Sequence, residues 1–406
     1  MNHSNRIFTH KVLRTIADSI IKFFLPLYIL KQTNSLELSI VYLICQSLCT
    51  LIFINIFKKL YKKYTLILII LSCFPIIVCQ AILSYFQINI ITCIIASILM
   101  ALNVSLYNIS LNTLFAILDE NTNVGKFQIA ANVGKLVFML ISGLILAQIP
   151  QSFVYLSLIS SIIYLTSILP LIKSYKVLNE KLKFNTRSKI KGLNKLTHFN
   201  KTNINFISKY SYTHCKKESG LTLDKTTLWL NIYHIAFGII YVLINDIVPL
   251  FLFVNNLNFE AVTIFLVLIE LCNIFANALC KLFIKKKLFI ICFIINFSLM
   301  LIGLTTLIFC NNALTLFIIS TIIGISYPFT FVSMFYIVCK NSSKHIDKTI
   351  AMLNRDIIIF SGRPLYFSSY FIVHSLYANI LFGFIFTLIL FVSEVYAAKY
   401  FNSKKL

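Results

Sequence analysis

Apolar runs about twenty residues long follow one another from end to end of the chain, separated by short polar turns and one long polar stretch. At about 1.5 Å of rise per residue, a helix of that length crosses the roughly 30 Å hydrocarbon core of a bilayer. The runs predict twelve spans, at 12–31, 36–57, 64–86, 88–117, 126–148, 152–173, 227–254, 258–281, 288–309, 312–339, 349–373 and 376–398. A closed barrel, the other backbone solution in lipid, needs short alternating segments, and these runs are unbroken. The pattern predicts an all-α polytopic membrane protein. Its polar stretch, roughly 174–226, is rich in Asn, Ser, Thr and Lys and has no sustained helical period, which predicts a disordered linker. That linker divides the chain into 1–173 and 227–406, six spans each.

The halves repeat. "FFLPLYIL" at 23–30 aligns with "DIVPLFLF" at 246–253, placing Pro26 on Pro249 at a shift of 223. After span 2 stands Lys58-x-x-x-Lys62-Lys63, and after span 8 Lys281-x-x-x-Lys285-Lys286, at the same shift. Lys126 and Asn132 at the start of span 5 align with Lys348 and Asn354 at a shift of 222. Three matches in one order at nearly one offset predict two parallel six-helix bundles related by an axis along the membrane normal.

Composition narrows the class. Of 406 residues, 59% are hydrophobic and only 12% charged, with mean hydropathy +0.87. Soluble domains carry about a quarter charged residues, so a soluble protein is excluded. A net charge of +23 raises a nucleic-acid reading, and placement removes it. With the N-terminus inside, 31 of the 36 lysines and arginines fall at the cytoplasmic face or within a residue or two of it. Only Lys31 lies outside, and Lys22, Lys135, Arg355 and Arg363 lie within spans. This is the positive-inside pattern. It puts both termini in the cytoplasm and sets the linker near anionic lipid headgroups, with the inner (cytoplasmic) membrane of a bacterium as the expected location. Ten of the eleven cysteines lie in or at the ends of spans, where Cys packs as a small apolar residue. No H-E-x-x-H, phosphate-binding glycine loop or nucleophile motif is present. Neither an enzyme, nor a cofactor, nor a metal site is expected.

Twelve spans, cytoplasmic termini, a long central loop and basic loops after spans 2 and 8 together resemble the major facilitator superfamily, over essentially the whole chain. The family signature after span 2 is G-x-x-x-D-R-x-G-R-R, and this chain reads "INIFKKLYKK" at 54–63. Lys59, Lys62 and Lys63 keep the basic positions, both glycines are replaced, and Lys58 stands where the aspartate would be. On span 5 the drug/proton antiporter motif G-x8-G-x3-G-P-x2-G-G is matched at Gly134 and Gly143, with Ala147 and Gln148 in place of Gly-Pro. The resemblance implies a secondary transporter that works by alternating access, its two halves rocking around a central cavity.

Charges inside spans are costly and usually face protein or water. They are Asp18, Lys22, Lys135, Asp246, Glu270, Arg355, Asp356 and Arg363. Asp18, Arg355 and Asp356 sit near the cytoplasmic ends and, with Lys58, Lys62, Lys63 and Lys281, are candidates for a cytoplasmic gate. Polar stripes on spans 4, 5, 7 and 8 predict a cavity or substrate set: Asn103 and Tyr107; Asn132 and Lys135; His234, Tyr241, Asn245 and Asp246; and Asn273. Lys22 and Arg363 join them. A stripe on any one span also fits simple helix-to-helix gluing. Glu270, with Asp246, is the candidate for proton coupling, since acidic groups are the usual proton relays of membrane carriers. The expected activity is transport of a small polar organic solute with protons by a monomer. A lipid-linked oligosaccharide flippase and a non-transporting scaffold or receptor stay open as alternatives.

Overall fold

The computed structural model describes residues 3–58, 60–111, 114, 124–149, 151–173, 225–255, 257–310, 312–342 and 348–403. Every regular element among them is helical, and helices fall on all twelve predicted spans. Ten are long and apolar enough to cross a membrane. The other two each carry several charges. Span 1 runs through His3–Ile21, a 3-10 turn at Lys22–Phe24, and Leu25–Thr33. Span 11 is Lys348–Val373. The predicted linker lies outside the described residues, apart from its last two positions, which begin span 7 at Lys225.

Short turns join the spans at the face opposite the termini, here the distal face. Side chains close the exposed helix starts there. The Ser35 hydroxyl accepts from the Leu38 N–H at 3.3 Å, and the Asn258 carbonyl oxygen from the Ala261 N–H at 2.9 Å. Asn89 and Thr92 form a reciprocal capping box before span 4.

The packing repeats as the sequence does. In the first half span 1 packs on spans 5 and 6, span 2 on 4, and span 3 on 4 and 6. In the second half span 7 packs on 11 and 12, span 8 on 10, and span 9 on 10 and 12. Adding six to each number converts one set into the other. Between halves, span 2 meets span 11 and span 5 meets span 8, a pair of contacts that exchange under the same operation. Apolar residues such as Ile52, Ile56, Phe275 and Leu365 cover the outside, as a lipid-facing surface requires.

Close approach of spans 7 and 11 rests on two glycines. A Cβ at Gly238 would collide with the Ile359 carbonyl oxygen, and one at Gly362 would stand 2.7 Å from that of Ile235. Small residues are the usual means of such backbone contact in lipid.

Candidate functional site

A cavity of about 160 Å³ lies where spans 1, 2 and 4 face spans 7 and 11. Three helix breaks among the described residues lie at it, one of them the π-turn Ser105–Ile109 of span 4, which carries Asn108. Span 1 tightens into its 3-10 turn at Lys22–Phe24, and span 7 loosens into a π-turn at Leu243–Ile247. The breaks in spans 1 and 7 each end two positions before a repeat-related proline. Proline has no N–H for the carbonyl four residues back, which is that of Lys22 before Pro26 and of Asn245 before Pro249. The helical hydrogen-bond pattern therefore changes at the same place in both halves, beside the cavity.

Three charged side chains line this space: Lys22, Asp246 and Arg363. The Arg363 guanidinium lies 4.8 Å from the centre of the Tyr241 ring and 4.1 Å from that of Phe360. Aromatic faces attract a cation, so the two rings fix its plane. Its Nε is buried without a hydrogen-bond partner. Asp246 has no ion-pair partner within 4.0 Å among the described residues. Both charges are left facing the cavity.

Lys22 is the inner end of a stripe on span 1 that steps by four residues: His10, Arg14, Asp18, Lys22. Lys22 Nζ lies 3.6 Å and Arg14 Nε 3.8 Å from Asp18 Oδ1, to which the Tyr164 hydroxyl donates at 2.7 Å. Arg14 is wholly buried. It donates to Cys73 Sγ at 2.8 Å and sits 4.5 Å from each of the Tyr107 and Tyr164 ring centres. His10 Nδ1 donates to the Ser167 carbonyl at 2.7 Å. Asp18 is thus neutralised inside its own half rather than across a gate. Counted by sequence with the cytoplasmic face, Arg14 instead belongs to this interior cluster, because the helix starts at His3. The four-residue spacing was the signal for it.

Of the predicted cavity residues, Lys22, Tyr241, Asn245, Asp246 and Arg363 do converge there. Asn103 and Tyr107 point into the first half instead. The Asn103 amide donates to the Ser72 carbonyl at 2.6 Å, while Tyr107 lies against Arg14. The cavity face of span 4 is Met100, Val104 and Asn108. Lys135 and Glu270 form an ion pair between spans 5 and 8, joining the halves, with Lys135 Nζ 4.3 Å from the centre of the Phe23 ring. Asn132 and Asn273 are half-buried on the same two spans, off the cavity wall, and His234 is buried within the second half. Among the proposed gate residues, Arg355 donates to Asp356 from Nε at 2.9 Å and from Nη2 at 2.6 Å. Lys58 is exposed, and the side chains of Lys62, Lys63 and Lys281 lie outside what is described. Glu394 on span 12 was missed in the sequence. It is fully buried in the second half and accepts from the Thr330 hydroxyl at 2.5 Å.

Packed contacts join the two halves toward both ends of the helices. Toward the termini Leu353 of span 11 joins Ile54, Tyr61, Leu106 and Ile109 of spans 2 to 4. On the distal side Phe24 meets Phe259 at 5.7 Å, and the Gln148 amide donates to Glu260 at 3.0 Å.

Two repeat-related bundles around a charged cavity agree with a family model: that of the Major Facilitator Superfamily matches residues 8–365. The chain belongs to that superfamily. No curated protein sequence matches it. Solved structures share the fold. Peptide transporter POT, as a mutant in complex with sulfate, superposes with a TM-score of 0.64 at 10% identity, covering 97% of this chain and 94% of that one. The same mutant with alafosfalin gives 0.63 at 10% identity over 97% and 94%. POT itself with sulfate gives 0.61 at 10% identity over 98% and 95%. This superfamily member is an integral multi-pass membrane protein of a transporter family.

Proposed function

We propose that this secondary transporter moves a small polar organic solute by alternating access, coupled to protons. The observation that carries the reading is a cavity at the junction of two repeat halves, faced by Asp246 and Arg363 without a direct ion pair. Keeping opposite charges apart inside a membrane protein is costly unless a ligand enters between them. The rocking units are the bundles 1–173 and 227–406, joined by the cytoplasmic linker 174–226, in a monomer of a bacterial inner membrane with both termini in the cytoplasm. Asp246, open to the cavity, is the proton-loading group. Glu270, held by Lys135, is the second, and its protonation releases the contact between spans 5 and 8.

Peptides are what the solved neighbours carry. A cavity of about 160 Å³ compares with one that holds a single benzene ring, which supports a smaller solute here and opposes an oligosaccharide. The test is thermal unfolding of the purified protein against a broad panel of polar metabolites at acidic and neutral pH. A ligand at a hundredfold excess over Kd stabilises by about 2.7 kcal/mol. A hit that disappears in Arg363→Ala supports the reading, and a panel without hits overturns it.

A further inference from the structure

We infer that the transported solute is a small organic anion with one net negative charge. The inference rests on the transporter reading above and adds only what the cavity accepts. Five charged side chains form or directly back its wall. Lys22, Asp246 and Arg363 line it, and Arg14 and Asp18 stand behind Lys22. Arginine does not lose its proton in proteins, so Arg14, wholly buried, keeps its charge and needs Asp18 as counter-charge. Asp18 is therefore shared by two cations. Three cations stand against two carboxylates, leaving one positive charge in excess. The neighbouring Lys135–Glu270 pair is neutral in itself and does not alter the count.

An uncompensated charge away from water is the costly element of such a site. A monoanion removes it, whereas a neutral or zwitterionic solute leaves it and a cation adds to it. Protonation of Asp246 raises the excess to two and strengthens the same preference. The seat of the anionic group is also given. Arg363 is held between two rings with unused donor capacity, and its planar fork matches a carboxylate. Asp246 faces the same space and accepts a hydroxyl or amine donor elsewhere on the solute. A cavity the size of one ring limits the class to short monocarboxylates carrying such a donor.

The experiment is thermal unfolding of the full chain with matched families of small solutes. They are hydroxy- and keto-monocarboxylates of about three to five carbons, the corresponding amides, neutral amino acids, and amino-acid amides. At least one monocarboxylate is expected to bind tenfold or more tightly than its amide and amino-acid counterparts. In Lys22→Gln the excess charge is gone, and that preference should shrink about tenfold. Tighter binding of a neutral, zwitterionic or cationic member to the wild type overturns the inference and leaves a small-solute transporter standing. No shift with any family also overturns it, and the broad metabolite panel then decides whether the transporter reading falls too. Should Lys22→Gln fail to fold, the wild-type charge series decides alone.

Discussion

Arg14 and Arg363 are two ways of holding a guanidinium inside a membrane protein. Arg14 is enclosed by Asp18, Cys73 and two tyrosine rings, so its role is to fix the charge of the wall behind Lys22. Arg363 is held between rings but opens on the cavity, so its role is to meet what enters. Asp18→Asn should therefore destabilise strongly, by about 3–5 kcal/mol, because it strands two cations. Adding Arg14→Met should recover part of the loss, a coupling that a double-mutant cycle of unfolding measurements reads directly. Arg363→Ala should leave unfolding without solute almost unchanged and remove the solute-induced shift. Arg363→Lys should not restore it, since an ammonium lacks the planar fork. Charges in apolar runs were legible in the sequence, which is why Lys22, Asp246 and Arg363 could be named. Their pairing was not, since Arg14 lay two positions from a predicted helix edge, and Glu394 passed unnoticed in an apolar run.

Helices explain why some predicted site residues landed elsewhere. A polar stripe marks a face but not what that face meets. On span 4 the stripe of Asn103 and Tyr107 binds its own bundle, the gluing role open to any polar stripe in lipid. Its cavity face is mostly apolar and carries no sequence signal. The breaks in spans 1 and 7, in contrast, were foreshadowed by Pro26 and Pro249. Contact between spans 7 and 11 makes a graded prediction. Gly238→Ala drives a methyl into the Ile359 backbone carbonyl, which no rotamer change can move, so the unfolding temperature should fall sharply. Gly134→Ala meets only the flexible Ile16 side chain at 3.0 Å and should cost little by the same measurement.

At the scale of the molecule, spans and repeat were written in hydropathy and one nearly constant offset, because bilayer thickness acts on sequence locally. Contacts between halves were not, since they join residues more than a hundred positions apart. Lys135 and Glu270 are the clearest case: each was singled out alone, and the structure makes them one ion pair. Lys135→Glu or Glu270→Lys alone should open the distal side, raising the labelling rate of a cysteine placed at Gln148. The exchanged double variant should restore the wild-type rate, and failure to do so would separate this pair from closure. The unequal charges around the cavity carry an electrical consequence. A membrane potential does work of about 2.3 kcal/mol per elementary charge per 100 mV. An empty carrier with Asp246 ionised has one surplus positive charge and feels that work as it reorients. Loading a monoanion together with the proton on Asp246 leaves that surplus in place, so voltage should act on the loaded step as well as on the empty return, visible as transient currents in both.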